Sequence, residues 1–254
     1  MPETLRPQEV FSQRAAFYTT SQTHSDAAQL ESLVALAAPQ PDWTVLDVGT
    51  GTGHTALTMA PHAASVVGID LTIEMLAQAR LLEQAQGLRL SWALADAEAL
   101  PFATASFDLV TCRRSAHHFH DLGRALAEMA RVVEPGGVVL IDDRSIPEDE
   151  AIDTLMNQLD VWHDHSHVRE YRASEWVAML SEAGLAVTHV EGYAQHRSFT
   201  SFAHGAGDED LAGMRARLAA ATPHERALLA LEERDGELYF NNWYVVLRAV
   251  KHER

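Results

Sequence analysis

The sequence predicts an α/β fold: a doubly wound, mostly parallel seven-stranded sheet with helices on both faces and an antiparallel edge strand. Three observations carry that reading. Short apolar segments alternate with segments of helical periodicity from Thr44 onward, the first of them closes on the glycine turn Gly49-Thr50-Gly51-Thr52-Gly53, and two long strand-like segments stand late in the chain. Strands separated by helices pair in parallel, because a helical crossover is the usual return to the same edge of a sheet.

Taken in order, residues 5–38 read as helical, with Leu30, Leu33, Val34 and Ala37 at three- and four-residue spacing until Pro39 and Pro41 stop them. Residues 44–48 form the first strand and 54–60 the helix beyond the glycine turn. A second strand covers 65–70, a helix with Thr72 as its cap 72–86, and a third strand 88–96. The fourth strand is 107–112, followed by a helix over 121–133 and a fifth strand over 137–142 after the turn Glu134-Pro135-Gly136. Residues 148–164 read as helix, 163–167 as a polar turn, and 174–183 as a helix closed by Gly184, a residue that tolerates a left-handed cap. The sixth strand is 185–199 and the last 237–250, with a charged, helix-prone insertion, 207–235, between them.

Of the 254 residues 47% are hydrophobic and 22% charged, a balance that supplies a core at this length and excludes disorder as the default. The net charge of −17 repels phosphate backbones and anionic membranes, so no nucleic-acid partner is expected. The longest apolar run, 33–38, falls far short of the ~18–20 residues that span a bilayer. The segment MPETLRPQEV has no basic patch before an apolar stretch, and the one cysteine, Cys112, has no internal disulfide partner. A reducing cytoplasm is the expected location.

Ligands of open parallel sheets lie at the carboxyl ends of the strands, near the point where strand order reverses. There Asp47-Val48-Gly49-Thr50-Gly51-Thr52-Gly53 sets glycines at alternate positions, so the turn takes positive φ and a ligand can press on bare backbone. The dinucleotide fingerprint G-x-G-x-x-G needs glycine where His54 stands, and no Gly-Lys-Ser/Thr loop follows. Asp70 closes the second strand, where a carboxylate can accept from two adjacent ribose hydroxyls. Asp96 ends the third.

Asp47-x-Gly49-x-Gly51-x-Gly53, Gly68-Ile69-Asp70-Leu71 with Met75, Asp96-Ala97-Glu98 before Leu100-Pro101-Phe102, Phe107-Asp108-Leu109-Val110 and Pro135-Gly136-Gly137 stand in fixed order. Together they resemble the class I S-adenosylmethionine-dependent methyltransferases, in particular the subgroup similar to ubiquinone and menaquinone biosynthesis methyltransferases. The resemblance covers residues 10–190. It implies a Rossmann-like sheet, S-adenosylmethionine as cofactor, and in-line methyl transfer to a small organic acceptor by O-, C- or N-methylation. It also implies roles. Gly49, Gly51 and Gly53 pass under the methionine part, with Thr50 and Asp47 of the same turn in the cofactor site. Asp70 binds the ribose, Leu71 and Met75 cover one adenine face, Ala97 offers backbone at the ring edge, and Asp96 accepts from the exocyclic amine. Arg113 presents backbone to the methionine amino end, and Tyr18 belongs to an N-terminal cap. Read without the resemblance, Asp47 serves equally well as the group that orients the turn from beneath, Met75 is helical core, and Asp96 is a helix cap.

An activated methyl group leaves the protein mainly the task of alignment. A base matters for a hydroxyl or carbon acceptor, and a neutral histidine suits it. The catalytic candidates are His118 and His167; the substrate-binding candidates are Arg114, His117 and Arg169. His118 also has a loop-holding reading, while His117 and His120 read as solvent facing. Residues 163–170 read as a mobile lid that brings His167 and Arg169 to an anionic or phenolic acceptor. Histidines 163, 165 and 167 lack a convergent carboxylate, so no metal is expected. Arg113, Arg114 and Arg169 are placed to orient a carboxylate through forked hydrogen bonds. The insertion 207–235 either covers the pocket or contacts a second copy of the chain. One domain is expected over 1–254: a helical cap (1–43), a cofactor-binding core (44–145) and a substrate-side part (146–254). Two alternatives stand beside the enzyme: a non-catalytic scaffold that binds the same cofactor, and an NAD-dependent oxidoreductase, which His54 opposes.

Overall fold

The computed structural model describes residues 5–253; residues 1–4 and 254 of the expected domain lie outside the described residues. The N-terminal helical stretch divides into α1 (Pro7–Thr20), α2 (Gln22–Ser25) and α3 (Ala27–Ala37). Ser21 leaves helical geometry at ψ 116, and the Asp26 carboxylate accepts from Gln29 N–H to start α3 afresh. Then come β1 (Thr44–Val48), α4 (His54–Met59), β2 (Ser65–Asp70), α5 (Ile73–Gln86), β3 (Ser91–Leu94), β4 (Phe107–Arg113) and α6 (Leu122–Val132). The second half holds β5 (Val133–Ile146), α7 (Glu150–His163), β6 (Tyr171–Arg172), α8 (Ala173–Glu182) and β7 (Leu185–Ser198). It closes with α9 (Phe199–Phe202), α10 (Asp208–Ala219), α11 (Pro223–Leu228), β8 (Glu232–Arg234) and β9 (Glu237–Lys251).

Seven strands form one sheet in the order β3-β2-β1-β4-β5-β9-β7, with β6 beside β5 and β8 beside β9. The pairs from β3 through β5 are parallel, and β9 runs antiparallel to both β5 and β7. The two late strands thus make the expected antiparallel edge, the reversed strand lying one place in. Chain order reverses between β1 and β4, so the carboxyl ends of those strands are where a crevice opens.

Several boundaries differ from expectation for local reasons. Strand β3 is short because the N–H groups of Leu88 and Leu90 are taken by the Glu83 carbonyl and carboxylate, which close α5. The Thr72 side chain does not cap α5; its backbone N–H donates to Asp70. Strand β5 outruns 137–142 because β9 pairs with it from Val138 to Ser145. Gly184, at φ 86, does end α8 in the left-handed region.

The core follows from the apolar periods. Helix α6 buries Leu122, Leu126 and Met129 against one face of the sheet, each contributing roughly 1.5–3 kcal/mol. Leu33, Ala37, Ala56 and Met59 from α3 and α4 cover the other face. A third cluster joins α7 to the insertion: Ile152, Leu155 and Met156 meet Met214, Leu218 and Leu229. The apolar stripe of 207–235 is therefore spent on α7 within the chain. Among the described residues no helix is long and apolar enough to cross a membrane.

Candidate active site

The turn after β1 uses its three glycines in two different ways. A Cβ on Gly49 would lie 2.0 Å from Ser115 Oγ, and one on Gly53 2.7 Å from the Trp92 ring. These two let neighbouring segments pack. Gly51, at φ 55, is the one whose missing side chain faces open space. Its N–H donates to Asp70 Oδ2 at 2.8 Å, while Thr72 N–H donates to Oδ1 at 2.8 Å. Burial raises the Asp70 pKa against those two donors. Asp47 sits beneath the turn, 1% exposed, and accepts from the hydroxyls of Thr50 (2.5 Å) and Thr111 (2.7 Å). Burial pushes its carboxyl up to about 6 despite them. The geometry is that of an orienting group.

A crevice of about 70 Å³ opens above the turn, lined by Gly49, Thr50, Gly51, Asp70, Met75 and Arg113 among others. Tyr18 and Phe11 of α1 roof it, ring edge to ring face at 5.6 Å. Leu71, Asp96 and Ala97 are not in its wall. Leu71 is exposed, Ala97 is buried, and exposed Asp96 accepts from Glu98 N–H at 2.8 Å, as a turn cap does. The end of β3 nevertheless abuts Asp70, whose carbonyl accepts from Ala95 N–H at 3.1 Å.

Beside the crevice lies a larger cavity of about 250 Å³. It is built by α1 and the short α2 segment after it, the loop after β4, β5, the end of α7 with the turn that follows, the β7–α9 junction, and β9. Phe11, Tyr18, His24, Arg114 and His118 line both spaces. Arg114 stacks 3.6 Å over the Tyr244 ring, donates to Tyr193 Oη at 2.7 Å and pairs with Asp142, which also takes Arg113 at 3.1 Å. Arg144 bridges Asp160 (2.8 Å) and Glu170. Burial, with Asp160 adding to it, holds the Glu170 carboxyl well above the usual range. Arg197 donates to Ser201 Oγ at 3.1 Å and Tyr244 Oη at 3.4 Å, and pairs with no carboxylate among the described residues. Burial lowers His118 and His163 to about 4 and His167 to about 3, so all three rings are uncharged at neutral pH.

The structure brings His118, His167, Arg114 and His117 to the cavity, and Tyr18, Thr50, Gly51, Asp70, Met75 and Arg113 to the crevice. Two expectations are corrected. Arg169 stands outside both, drawn to Asp153 (3.1 Å) and Glu175 (3.3 Å) on the flanking helices. His117 is buried rather than solvent facing, because the Asp143 carboxylate beneath it binds Nδ1. Sequence reasoning missed Asp143, Arg144, Asp160, Arg197 and Tyr244. Acids at 142 and 143, at the carboxyl end of the fifth strand, were the available signal for the first; nothing local marks Arg197 or Tyr244.

A doubly wound sheet whose switch point carries a bare glycine turn, an acid closing β2 and an adjoining cavity defines a class I S-adenosylmethionine-dependent methyltransferase. The methyltransferase domain family matches residues 46–141. The uncharacterized methyltransferase YcgJ of Bacillus subtilis is 38% identical over 182 residues, 71% of this chain and 72% of that one. The crystal structure of YcgJ superposes with a TM-score of 0.85 at 31% identity, covering 89% of this chain and 99% of the other. The demethylmenaquinone methyltransferase of Thermus thermophilus is 42% identical over 110 residues, 42% of this chain and half of its own. The chain belongs to this family: it is a methyltransferase, and its cofactor is S-adenosylmethionine.

Proposed function

We propose that the enzyme methylates a small anionic organic molecule held in the 250 Å³ cavity, with S-adenosylmethionine in the neighbouring crevice. The observation that carries this reading is the shared wall of Phe11, Tyr18, His24, Arg114 and His118, across which two ligands would meet without solvent between them. The residues present suit the cofactor. Asp70 has two fixed donors and keeps lone pairs for ribose hydroxyls, Gly51 offers bare backbone to the amino-acid tail, and Met75 flanks the nucleoside. Leu71, Asp96 and Ala97, just beyond the ends of β2 and β3, continue that path on the adenine side, and Tyr18 covers it. When bound, the cofactor supplies a methyl group already activated on a sulfonium.

The cavity's size suits a molecule of one or two rings and excludes a folded partner. Its charge supports an anion. His118, His163 and His167 are neutral, Asp160 and Asp164 face Arg144 and Arg14, and Arg197 faces the cavity without a carboxylate among the described residues. In a chain of net charge −17 this is a local reversal of sign. The test is release of S-adenosylhomocysteine with a panel of carboxylated phenols, carboxylated amines and their uncharged analogues. Turnover confined to uncharged acceptors would refute the anionic reading.

A further inference from the structure

We infer that His117, held by Asp143, is the base that takes the proton of a hydroxyl acceptor. This rests on the cavity being the acceptor site. Asp143 is fully buried at the end of β5 and accepts from the N–H groups of Ser115 (3.0 Å), Ala116 (2.6 Å) and Arg144 (2.7 Å), besides His117 Nδ1. Burial works against its ionised form, and the His117 ring with these donors outweighs it, holding the carboxyl down at about 2. An ionised carboxylate can only accept, so Nδ1 of His117 carries the hydrogen of that bond and Nε2 is the ring nitrogen left to meet an acceptor's proton. Nε2 has no partner among the described residues, and the ring lines the cavity.

The two neighbouring rings lack this support. His118 Nδ1 faces the Ser166 carbonyl at 3.2 Å, and His167 Nε2 faces Asn157 Oδ1 at 3.2 Å. Neither bonds a carboxylate, so a proton placed on either would sit buried beside a neutral dipole. On His117 it sits against a buried anion. The groups that face His117 are Asp143 of β5, His118 of its own turn and His167 of the following segment, with Arg114, Arg144, Asp160 and Asp164 around the same cavity. A neutral amine attacks through its own lone pair and needs no base in the bond-forming step; a hydroxyl or an activated carbon does. In that step the acceptor oxygen bonds the methyl carbon, the carbon–sulfur bond breaks with its electron pair left on sulfur, and the hydroxyl proton passes to His117 Nε2.

The experiment uses 4-hydroxy-3-nitrobenzoate, an anionic phenol whose ionisation is visible, added to the full chain saturated with S-adenosylhomocysteine. The expected result is a bound probe that ionises about one pH unit or more below the free probe. His117→Asn keeps an N–H for Asp143 and removes the base; it should still bind both ligands while the ionisation shift disappears. A probe that does not bind refutes the anionic-acceptor reading itself. A probe that binds but ionises identically in both proteins overturns the base. Should the variant not fold, nitrogen NMR of the wild-type imidazoles decides: His117 Nε2 gains a proton when the probe binds, and an unprotonated Nε2 in that complex overturns the inference.

Discussion

The crevice and the cavity share a wall and are built on opposite plans. The floor of the crevice is made by one turn, one strand end and the hydrogen bonds between them, all between residues 47 and 75, and only its roof and shared wall come from further away. The cavity draws on residues from Phe11 to Tyr244, and its order depends on buried charges that must find one another across the fold. A cofactor site can thus be specified by a short contiguous segment, whereas an acceptor site in the same protein is specified by the tertiary structure.

That contrast predicts where acid will act first. His118, His163 and His167 ionise near 6.5 in the unfolded chain and at about 4, 4 and 3 in the fold, so the unfolded state binds more protons once the pH drops below 6.5. Each should withdraw on the order of 3 kcal/mol of stability as the pH falls from 6.5 through 4. Asp143, shifted down as well but from a lower starting value, keeps its contribution until the pH falls from about 4 towards 2. Asp47 in the crevice has the opposite sense, gaining its proton more readily folded than unfolded. Urea unfolding at stepped pH should show the steep loss above pH 4, and a flat profile from 6.5 to 4 would contradict the burial of these rings.

Arg144→Leu should cost about 3–5 kcal/mol of stability by leaving Asp160 and Glu170 buried without their cation. Denaturant midpoints measure it, and a loss below about 1 kcal/mol would show that the network is solvated. Asp70→Ala should weaken S-adenosylhomocysteine binding by about 1.5–3 kcal/mol in calorimetry, with little change in folding stability. Equal affinity in the folded variant would remove the acid from the cofactor site. Arg169→Ala should be the mildest, shifting stability by less than about 1 kcal/mol and leaving both binding sites intact, since its ion pairs are partly exposed. A large loss of acceptor binding would return it to the cavity.

The two plans also explain what could be read in advance. The glycine turn, Asp70 and the strand–helix alternation are local patterns, and they appear in the fold at the expected positions. Which glycine faces a ligand was hidden, because Gly49 and Gly53 answer to Ser115 and Trp92, residues 66 and 39 positions away. Arg169 misled because its partners, Asp153 and Glu175, lie on helices on either side of it in sequence yet converge only after folding. His117 looked like a surface residue until β5 brought Asp143 under it, a consequence of the Arg113–Asp142 register. Tyr244 and Arg197 are ordinary strand residues until β9 and β7 pair beside the site.

The most direct test is a crystal structure with S-adenosylhomocysteine bound. The account predicts ribose hydroxyls on Asp70, the amino-acid tail across Gly51, and the sulfur at the wall of Phe11, Tyr18, His24, Arg114 and His118, directed into the larger cavity. A nucleoside lying in the 250 Å³ cavity instead, or a sulfur turned away from it, would contradict the account.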